Sequence, residues 1–374
     1  MHWSHVNVLV VNAGSSSLKY RYTDTATGET HAHGTIERIG TSVPDHRAAL
    51  AGALERIPIE RVEAVGHRVV HGGERFREAT LLTEDAIDVL AELTPLAPLH
   101  NPPALQAIHA AQELLPGVPM VGVFDTAFHA TIPRHAYLYA IPHRYYEEYG
   151  VRRYGFHGTS HAYVAREAAR LLEEPAEKLR LVTLHLGNGA SACAVLGGRS
   201  IDTTMGFTPL EGLVMGTRSG DLDPALPLWL AEREGHGRAG NILNRESGLL
   251  GLSGVSNDLR DVHRAHAGGN SRATDALLVM TYRLVKTVGA YAAALGGLDA
   301  LVFTGGIGEH DTWVRAEVTG RLAFLGLHLD EDANARHATF ITRPGTRPAA
   351  LVIPTDEEGE IARQTRELLG AAHA

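Results

Sequence analysis

Two stretches of the chain share one plan of alternating apolar and polar residues. In each, β-branched residues alternate with polar ones, which predicts three antiparallel strands, and small residues form the turn after the first strand. The chain is therefore interpreted as two copies of one strand-rich unit, related by plan more than by identity. The predicted strands are residues 6–11, 18–22 and 30–39 in the first copy, and residues 181–186, 192–196 and 200–204 in the second.

Each copy continues into segments with apolar residues at helical spacing, separated by further short apolar runs. Thr159 and Ser160 are expected to cap a helix beginning near His161. The alternation of helices and strands predicts an α/β architecture. The predicted helices are residues 47–57, 84–93, 104–115, 162–172, 225–233 and 274–295, and the additional strands are residues 64–70, 118–124, 300–304 and 349–353.

Bulk properties restrict the class of protein. A chain of 374 residues predicts two or three domains, and 44% hydrophobic with 21% charged residues is typical of a globular protein with sizeable cores. A net charge of −9, with basic residues scattered along the chain, argues against nucleic-acid binding. The single cysteine, Cys193, excludes an internal disulfide and is expected in the core.

Targeting signals and metal motifs are not found. The first residues lack the basic region, apolar core and cleavage site of a signal peptide, and the longest apolar stretch, residues 285–303, is interrupted by charges and glycines. We therefore expect a cytoplasmic protein without a membrane span. Although there are 22 histidines, no HExxH motif occurs, so a structural zinc site is not expected.

Three small-residue loops follow predicted strands: NAGSSSLK at residues 12–19, HLGNGAS at 185–191 and FTGGIGE at 303–309. Glycine lets the backbone approach a phosphate, while serine hydroxyls and a lysine add donors and charge. Three such loops in one chain predict a nucleotide site. The sequence contains no GxxxxGK[ST] motif, and the third loop lacks the later glycine of a dinucleotide fingerprint.

In their order along the chain and in their residues, these loops resemble those of the acetate and propionate kinase family. The resemblance covers nearly the whole chain. It continues through GHRVVHGG (66–73), LAPLHNP (96–102), VFDTAFH (123–129), RRYGFHGTSH (152–161), MGTRSGDLDP (215–224), SNDLRD (256–261) and PTDEE (354–358).

The resemblance implies a duplicated actin-like, ribonuclease H-like fold of two domains with a nucleotide cleft between them. Domain I is expected to comprise residues 1–126 plus 355–374, with the first phosphate loop, the acceptor side and a returning C-terminal helix. Domain II is expected to comprise residues 127–354, to bind the nucleotide and to form the interface of a homodimer.

Transfer of a phosphoryl group to a carboxylate brings two anions together, so the site needs cationic groups. Arg68 follows a strand, and Arg218 lies in a glycine-flanked loop where no structural role explains it well. By resemblance, Arg68 holds acetate, and Arg218 contacts the acyl carboxylate and the phosphoryl group. His157 precedes a helix N-terminus and is expected to face the same phosphoryl oxygens. Asp125 matches an essential acid of the family; we favour a positioning role, because a carboxylate acceptor has no proton to lose.

The resemblance also implies ligands for Mg²⁺, with Mn²⁺ as an alternative, and for ATP or ADP. Asn12 and Glu357 match the metal ligands. The family commonly has Asn where this chain has Asp356, so an additional carboxylate stands beside Glu357. For Asp258 and Arg260, a surface salt bridge is a serious alternative to nucleotide binding. The predicted nucleotide contacts are Ser15, Ser17, Lys19, His185, Leu186, Gly187, Asn188, Gly189, Asp258, Leu259, Arg260, Gly305, Gly306, Ile307, Gly308 and Glu309.

The acceptor pocket is assigned by resemblance to a small apolar set beside the motifs. Its size favours acetate, but one methylene changes discrimination by only about 1–3 kcal/mol, so propionate is expected to be a usable second substrate. The predicted acceptor contacts are Arg68, Val70, Leu99, His100, Phe156 and Pro209.

The resulting expectation is reversible, in-line transfer between Mg·ATP and acetate, giving ADP and acetyl phosphate. A propionate or butyrate kinase of the same family is the near alternative. A catalytically silent ATP-binding or chaperone-like module, or a hydrolase of acyl phosphates, also fits the loops. The silent module is disfavoured because the acceptor residues are present together with the phosphate loops.

Overall fold

The computed structural model describes residues 6–371, so the segment on which the absence of a signal peptide was predicted begins outside the described residues. Eleven strands lie within the described range. They are β1 (Asn7–Ala13), β2 (Ser17–Asp24), β3 (Thr30–Glu37), β4 (Ala64–Val69), β5 (Thr80–Leu81), β6 (Met120–Phe124), β7 (Arg180–Leu186), β8 (Ala190–Leu196), β9 (Arg199–Thr203), β10 (Ala300–Thr304) and β11 (Ala349–Val352).

Fifteen α-helices accompany these strands in the same range, together with short 3₁₀ segments. They are α1 (His46–Leu54), α2 (Glu84–Glu92), α3 (Asn101–Leu114), α4 (Arg134–Tyr137), α5 (Arg144–Tyr149), α6 (Gly158–Leu172), α7 (Ala225–Glu234), α8 (His236–Asn241), α9 (Gly248–Ser253), α10 (Leu259–Ala267), α11 (Ser271–Ala294), α12 (Gly305–His310), α13 (Thr312–Arg321), α14 (Glu331–Ala335) and α15 (Glu357–Ala371).

The chain divides into two compact units, each of which is described by itself. Unit 1 takes the chain up to Ala130, the short segment Gly158–Ser160 and the chain from Asp356 onwards. Unit 2 takes Thr131–His157 and His161–Thr355. The first five and last three residues of the predicted domain I lie outside the described residues.

Unit 1 contains a six-stranded mixed sheet in the order β3-β2-β1-β4-β6-β5. Strands β1, β2 and β3 form an antiparallel meander, whereas β4 pairs in parallel with both β1 and β6. The carboxyl ends of β1, β4 and β6 therefore lie along one edge of the sheet. A loop or helix that follows any of these strands starts at that edge.

Unit 2 repeats this arrangement in a five-stranded sheet, in the order β11-β10-β7-β8-β9. Strands β7, β8 and β9 form the antiparallel meander, and β10 pairs in parallel with both β7 and β11. Reading from the meander, the order β3-β2-β1-β4-β6 matches the order β9-β8-β7-β10-β11. The duplicated plan predicted from the sequence is confirmed.

Apolar packing covers both faces of the unit 1 sheet. One face buries Leu9, Val65 and Val69 together with residues of the flanking helices, such as Leu50 and Ile108. The other face buries residues of the same strands against α15, where the side chains of Ile361 and Thr365 meet Gly66 of β4. A Cβ on Gly66 would lie 2.5 Å from Thr365 Oγ1, so the close packing of α15 requires glycine here.

The core of unit 2 is built from strands without exposed faces and from one long helix. Every residue of β10 and β11 is buried, as expected for parallel strands covered on both sides. Helix α11 starts where the Asn270 side chain accepts a hydrogen bond from the Ala273 amide, and it buries one apolar stripe. Throughout the described residues, we find no helix with the length and apolar character needed to cross a membrane.

The structure corrects several local predictions. The six predicted helices are present with small shifts, but most of the short helices of unit 2 were not predicted from the pattern. Helix α6 begins at Gly158, so Thr159 and Ser160 lie in its first turn and do not cap it. It starts early because His157 adopts φ +57° and the Gly158 amide donates to the Asp125 carbonyl, at 2.9 Å. The third predicted loop is also largely helical, since α12 follows β10 directly.

Candidate active site

Four polar side chains of unit 1 come from different parts of the sequence to one edge of the sheet. Asn12 is near the end of β1, Arg68 is near the end of β4, and Asp125 follows β6 directly. Glu357 is the first residue of α15. The carboxyl ends of parallel neighbouring strands meet at one edge of the sheet, so the fold brings these polar side chains together there.

Arg68 connects this group. Its Nε and Nη2 donate to the two carboxylate oxygens of Asp125, at 3.0 and 2.7 Å, and its Nη1 donates to Asn12 Oδ1 at 3.3 Å. Glu357 Oε2 lies 3.9 Å from Arg68 Nε. A guanidinium has five N–H donors, so these hydrogen bonds leave one N–H on each terminal nitrogen. That pair forms a fork suited to a further carboxylate or phosphate.

The Arg68–Asp125 pair is buried and oppositely charged. Asp125 is only 1% exposed. Burial raises the pKa of this carboxyl group, while the Arg68 guanidinium acts in the opposite direction. Burial also opposes the charge of Arg68, but the carboxylates of Asp125 and Glu357 outweigh it and raise the pKa of Arg68. The arginine therefore stays charged at any pH at which the protein is folded.

The oxygen donors of this group fit Mg²⁺. The Asn12 amide oxygen and the Glu357 carboxylate both lie against the Arg68 guanidinium, and Mg²⁺ needs only one or two protein oxygens when it keeps several waters. The described residues contain no group of three or more His, Cys, Asp or Glu side chains suited to a metal. Asp356 points elsewhere, because its carboxylate pairs with Arg21 and accepts from the Gly359 amide.

The first phosphate loop is a tight turn between β1 and β2. Ser15 is exposed in the turn, whereas Ser17 opens β2 and Lys19 lies within it. Lys19 is the cross-strand partner of Asn12, which places the two side chains on one face of the meander. The Gly14 carbonyl accepts a hydrogen bond from His46 Nε2 at 2.8 Å, so α1 holds the turn from behind.

The predicted acceptor residues of unit 1 are only partly gathered. His100 directly precedes α3, and a proton on its ring would lower the pKa of Asp125. Val70 follows β4 and is half-buried, but Leu99 is 67% exposed and contributes no buried wall within unit 1. Asn101 was not predicted. It is fully buried, and its amide group bonds both the backbone N–H and the carbonyl of His71, which ties the His100 segment to the loop after β4.

In unit 2, the side chains of His157 and Arg218 converge over the second phosphate loop. A Cβ placed on Gly189 would lie 3.6 Å from His157 Nε2 and 3.7 Å from Arg218 Nη1. His157 also stacks on His185, with ring centroids 4.3 Å apart. Because Gly189 has no side chain, the space between the two nitrogen groups stays open. Nitrogen groups on two sides of this space are suited to bind an anionic oxygen.

Arg218 has no counter-charge within the described residues. Its Nη1 donates to the Pro209 carbonyl at 2.9 Å and contacts Met215 Sδ at 3.6 Å, and no carboxylate of those residues lies within ion-pair distance. Burial lowers the pKa of Arg218. Binding of an anion beside a partly buried cation that has no anionic partner lowers the free energy of the protein, because it compensates the loss of water around the charge. The predicted Phe156 is buried and Pro209 is half-buried in this unit.

Three predicted motifs meet at the second phosphate loop. The Asn188 carbonyl accepts from the Gly216 amide at 2.9 Å, and its side-chain oxygen accepts from Asn257 Nδ2 at 3.0 Å. A Cβ on Gly216 would lie 2.0 Å from that oxygen, so only glycine allows the approach. The HLGNG, MGTRSG and SND segments therefore form one rigid backbone surface.

The third segment is fixed by its own glutamate. The Glu309 carboxylate accepts hydrogen bonds from the amides of Gly305, at 3.0 Å, and Thr355, at 3.1 Å. Gly305 has φ +74°, and a Cβ there would meet the Leu186 backbone. The predicted contacts Gly306, Ile307 and Gly308 lie on α12, where Ile307 shares the wall of a small cavity with Leu186 and Gly187.

Behind this segment, the buried Arg315 donates to the carbonyls of Gly308 and Glu309, at 3.0 and 2.7 Å. Arg315 was not predicted, because an arginine on an ordinary helical pattern gives no signal of burial. Its hydrogen bonds satisfy carbonyl groups at the end of α12. The backbone of the third segment is thus held at one end by the Glu309 carboxylate and at the other by the buried Arg315.

Asp258 and Arg260 form a local pair in the structure. The Asp258 side chain accepts from the Arg260 amide and caps α10, of which the buried Leu259 is the first residue. The Arg260 guanidinium also pairs with that carboxylate at 2.5 Å, and its hydrogen bonds lower the pKa of Asp258 to about 2. Arg260 is largely exposed, which matches the salt-bridge alternative. Nothing in this geometry prevents a nucleotide contact.

Comparison with known proteins gives consistent results along the chain. The model of the acetokinase family matches residues 7–363. An acetate kinase of Halothermothrix orenii is 48% identical over 97% of this chain and 100% of its own. The crystal structure of Porphyromonas gingivalis acetate kinase is similar with a TM-score of 0.93 at 42% identity, covering 97% of this chain and 100% of that one.

A propionate kinase structure from Francisella tularensis is also similar, with a TM-score of 0.91 at 38% identity, covering 97% of this chain and 99% of that one. Both structural similarities extend over the two sheets and their helices, which confirms the predicted duplicated actin-like α/β fold. The family match also extends from the first phosphate loop to the helix that carries Glu357. This chain therefore belongs to the acetokinase family.

Proposed function

We propose that this protein is an ATP-dependent kinase that phosphorylates acetate to acetyl phosphate and catalyses the reverse reaction with ADP. One observation carries the proposal. Arg218, a partly buried cation without a carboxylate partner among the described residues, converges with His157 over the open space at Gly189. A site that receives a transferring phosphoryl group needs positive charge and donors where no protein anion neutralises them.

In the proposed reaction, Arg218 and His157 bind the oxygens of the phosphoryl group during transfer. Negative charge spreads over these oxygens in the transition state, and two fixed donors stabilise it more strongly than mobile water does. The guanidinium is held by the Pro209 carbonyl, so its orientation is set before substrate binds. The rigid surface around Asn188 supplies backbone donors for the nucleotide phosphates.

On the acceptor side, we assign acetate to the two remaining N–H donors of Arg68. Asp125 holds the guanidinium by a bidentate contact, and this leaves the opposite edge of the fork for the carboxylate of the substrate. Asp125 therefore acts as a positioning residue in this proposal. His100 and Val70 of unit 1 are assigned to the acceptor. Phe156 and Pro209, which lie in unit 2, remain acceptor contacts proposed from the family resemblance.

Magnesium would be held by Asn12 and Glu357, with water completing the coordination shell. When bound, it neutralises part of the phosphate charge. Lys19, on the same face as Asn12, is assigned to the phosphate oxygens as a point charge. Residues 305–309 and the Asp258–Arg260 pair are assigned to the sugar and base of the nucleotide.

The test is the rate of ADP formation from Mg·ATP with acetate, propionate, butyrate or no acceptor. We expect the highest kcat/KM with acetate and a measurable rate with propionate. The similarity to the Francisella tularensis propionate kinase structure makes propionate the second candidate acceptor. A maximum at propionate or butyrate would keep the chemistry and overturn the acceptor, whereas a rate independent of acceptor would overturn the proposed function. Arg218→Ala serves as the control for contaminating kinase activity.

We further propose a cytoplasmic homodimer whose domains are residues 1–126 plus 355–374 and residues 127–354. Helix α7 of unit 2 supports the dimer, because it buries no residue within the chain and exposes Leu226, Leu228 and Trp229. A second copy that covers this apolar face would remove it from water. Sedimentation of the protein and of Leu228→Glu tests the proposal, and an unchanged dimer mass for the variant would exclude α7 from the interface.

A further inference from the structure

A line of hydroxyl and imidazole groups runs from His157 into the core of unit 2. His157 Nδ1 lies 2.9 Å from Ser191 Oγ, and the same oxygen lies 2.8 Å from His161 Nε2. On the far side of that ring, His161 Nδ1 lies 2.7 Å from Thr183 Oγ1. Three consecutive hydrogen bonds therefore connect the side chain beside Gly189 to a residue in the middle of β7.

The inner members of this line are fully buried. Ser191, His161 and Thr183 are each 0% exposed. Thr183 and Ser191 lie on the paired strands β7 and β8, and His161 lies on α6, so each group is fixed by a different element. Buried polar groups at these distances must share their protons in a consistent order, because an unmatched donor or acceptor there costs about 1–3 kcal/mol.

Two proton orders satisfy the line and also give the Ser191 hydroxyl proton a ring nitrogen as its acceptor. In the outward order, Thr183 donates to His161 Nδ1, His161 Nε2–H donates to Ser191 Oγ, and Ser191 donates to His157 Nδ1. In the inward order every donor is reversed, and His157 carries its proton on Nδ1. Ser191 has one proton to donate, so it cannot donate to both rings. If it accepted from both rings, its own buried proton would lack an acceptor, because the two rings are the hydrogen-bond partners of Ser191 Oγ among the described residues. The order at one end therefore fixes the order at the other.

We propose that Thr183, His161 and Ser191 form a proton-ordered relay that holds His157 as the neutral tautomer with its proton on Nε2. Ser191, His161 and Thr183 are thus positioning residues, and the outcome of their order is an N–H donor at His157 Nε2. This nitrogen is the one that converges with Arg218 Nη1 over Gly189. The inference rests on the proposed function, because an oxygen anion received over Gly189 needs the Nε2–H donor that the outward order provides.

The charges around His157 agree with the neutral form. Its ring stacks on the ring of His185, and the Arg218 guanidinium lies on the far side of the open space. On its inner side, His161 faces it through Ser191. An imidazolium at His157 would need the inward order, with its Nδ1–H donated to Ser191, beside an arginine that already supplies positive charge. The outward order provides a donor without a second cation.

The test is the protonation state of His157 at neutral pH, observed by long-range ¹H–¹⁵N correlation in protein with labelled histidine. Since the chain has 22 histidines, the His157 signal is assigned by its loss in His157→Gln. We expect the pattern of a neutral ring protonated at Nε2. A ring protonated at Nδ1, or an imidazolium, in the wild-type protein would overturn the proposal. This readout does not depend on activity, so it holds even for a protein that lacks the proposed kinase activity.

Variants then test whether the relay sets this state. Thr183→Val removes the innermost hydroxyl with little change in shape, and Thr183→Ser is the matched control that keeps it. Ser191→Ala breaks the line next to His157 and remains informative if Thr183→Val does not fold. We expect Thr183→Val and Ser191→Ala to give a mixed tautomer signal at His157, whereas Thr183→Ser keeps the wild-type signal.

For kinetics, we expect Ser191→Ala and Thr183→Val to lower kcat by about tenfold, below the 10²–10³-fold loss that follows removal of a whole transition-state donor. The KM values for ATP and acetate should stay within about twofold, since the donor acts mainly in the transition state. An unchanged His157 signal in both variants would show that the relay does not control His157. A rise in KM with constant kcat would assign the three residues to ground-state binding and overturn their proposed role.

Discussion

The buried His67 is expected to make unit 1 sensitive to acid. His67 lies on β4, is 1% exposed, and shares its face of the sheet with Val65 and Val69 by strand alternation. Within residues 6–371, neither of its ring nitrogens has a hydrogen-bond partner. Burial alone lowers the pKa of His67 from 6.5 to about 3. Replacement by leucine, His67→Leu, removes the titratable ring and keeps a similar volume.

The direction of the effect follows from proton binding. Between pH 6.5 and about 3, the unfolded chain binds a proton at this histidine and the folded chain does not. The free energy of unfolding is therefore not reduced by His67 above pH 6.5, and it decreases as the pH falls towards the pKa of His67 in the folded state. In this window the free energy of unfolding falls by about 1.4 kcal/mol for each pH unit. Lowering the pH from 7.5 to 5 should therefore reduce it by about 2 kcal/mol.

Native-state hydrogen exchange of the amides of β1, β4 and β6 is the assay, because it reports the free energy of the opening that exposes these strands. We expect the protection of wild-type β4 to fall by about 2 kcal/mol more than that of His67→Leu between pH 7.5 and 5. At pH 7.5 the variant should be at least as stable as the wild type, since no buried ring nitrogen is left unbonded. His109→Gln, a change of an exposed histidine on α3, is the control and should retain the wild-type pH dependence.

Equal pH dependence in the wild type and His67→Leu would refute this reasoning. It would mean that His67 binds a proton equally well in the folded and the unfolded chain, either because the folded protein tolerates the charged ring or because the ring has a partner there. A variant that loses several kcal/mol at pH 7.5 would instead show that the ring makes favourable contacts that leucine does not replace. The pH slope and the stability at neutral pH therefore separate the two explanations.

Three further predictions concern the proposed site. Arg218→Ala should lower kcat by about 10²–10³-fold with unchanged ATP binding by calorimetry; an unaltered kcat would remove Arg218 from the mechanism. Arg68→Ala should raise the acetate KM and lower the free energy of unfolding by about 3–5 kcal/mol in urea titrations, because the buried Asp125 loses its partner. Adding Asp125→Asn should recover part of that loss, and no recovery would refute the pairing argument. Asp356→Asn removes a partly exposed ion pair with Arg21, so it should lower the free energy of unfolding by less than about 1 kcal/mol. The Mg²⁺ concentration that gives half the maximal rate should change by less than about twofold. A larger change would make Asp356 a metal ligand.

The duplicated strand plan was predictable because it depends on patterns of neighbouring residues. Alternation with period two and glycine-rich turns act within ten residues, so the meanders of residues 6–39 and 181–204 can be read from the sequence. The same holds for the long helices, such as α11. Short helices escaped prediction, because a helix of five or six residues has too few turns for a periodic apolar stripe and depends on its tertiary contacts.

The site residues were predicted by motif, but their partners were not. Asn101 and Arg315 give no signal in the sequence, since an amide or a guanidinium acquires its role only when burial forces it to find specific acceptors. The structure also gives Asp356 a partner that the sequence did not indicate, since its carboxylate pairs with Arg21, which lies 335 positions away.

The sequence by itself determined the strand plan, the small-residue turns and the types of side chain available for the chemistry. Only the tertiary structure decided which of these side chains touch: that Arg68 holds Asp125, that His157 and Arg218 converge over Gly189, and that a relay reaches Thr183. The physical reason is that these contacts join residues far apart in the sequence; the hydrogen bonds among them span 57, 34 and 22 positions. Such bonds depend on distance and burial in the folded chain, and they impose no periodicity on the sequence.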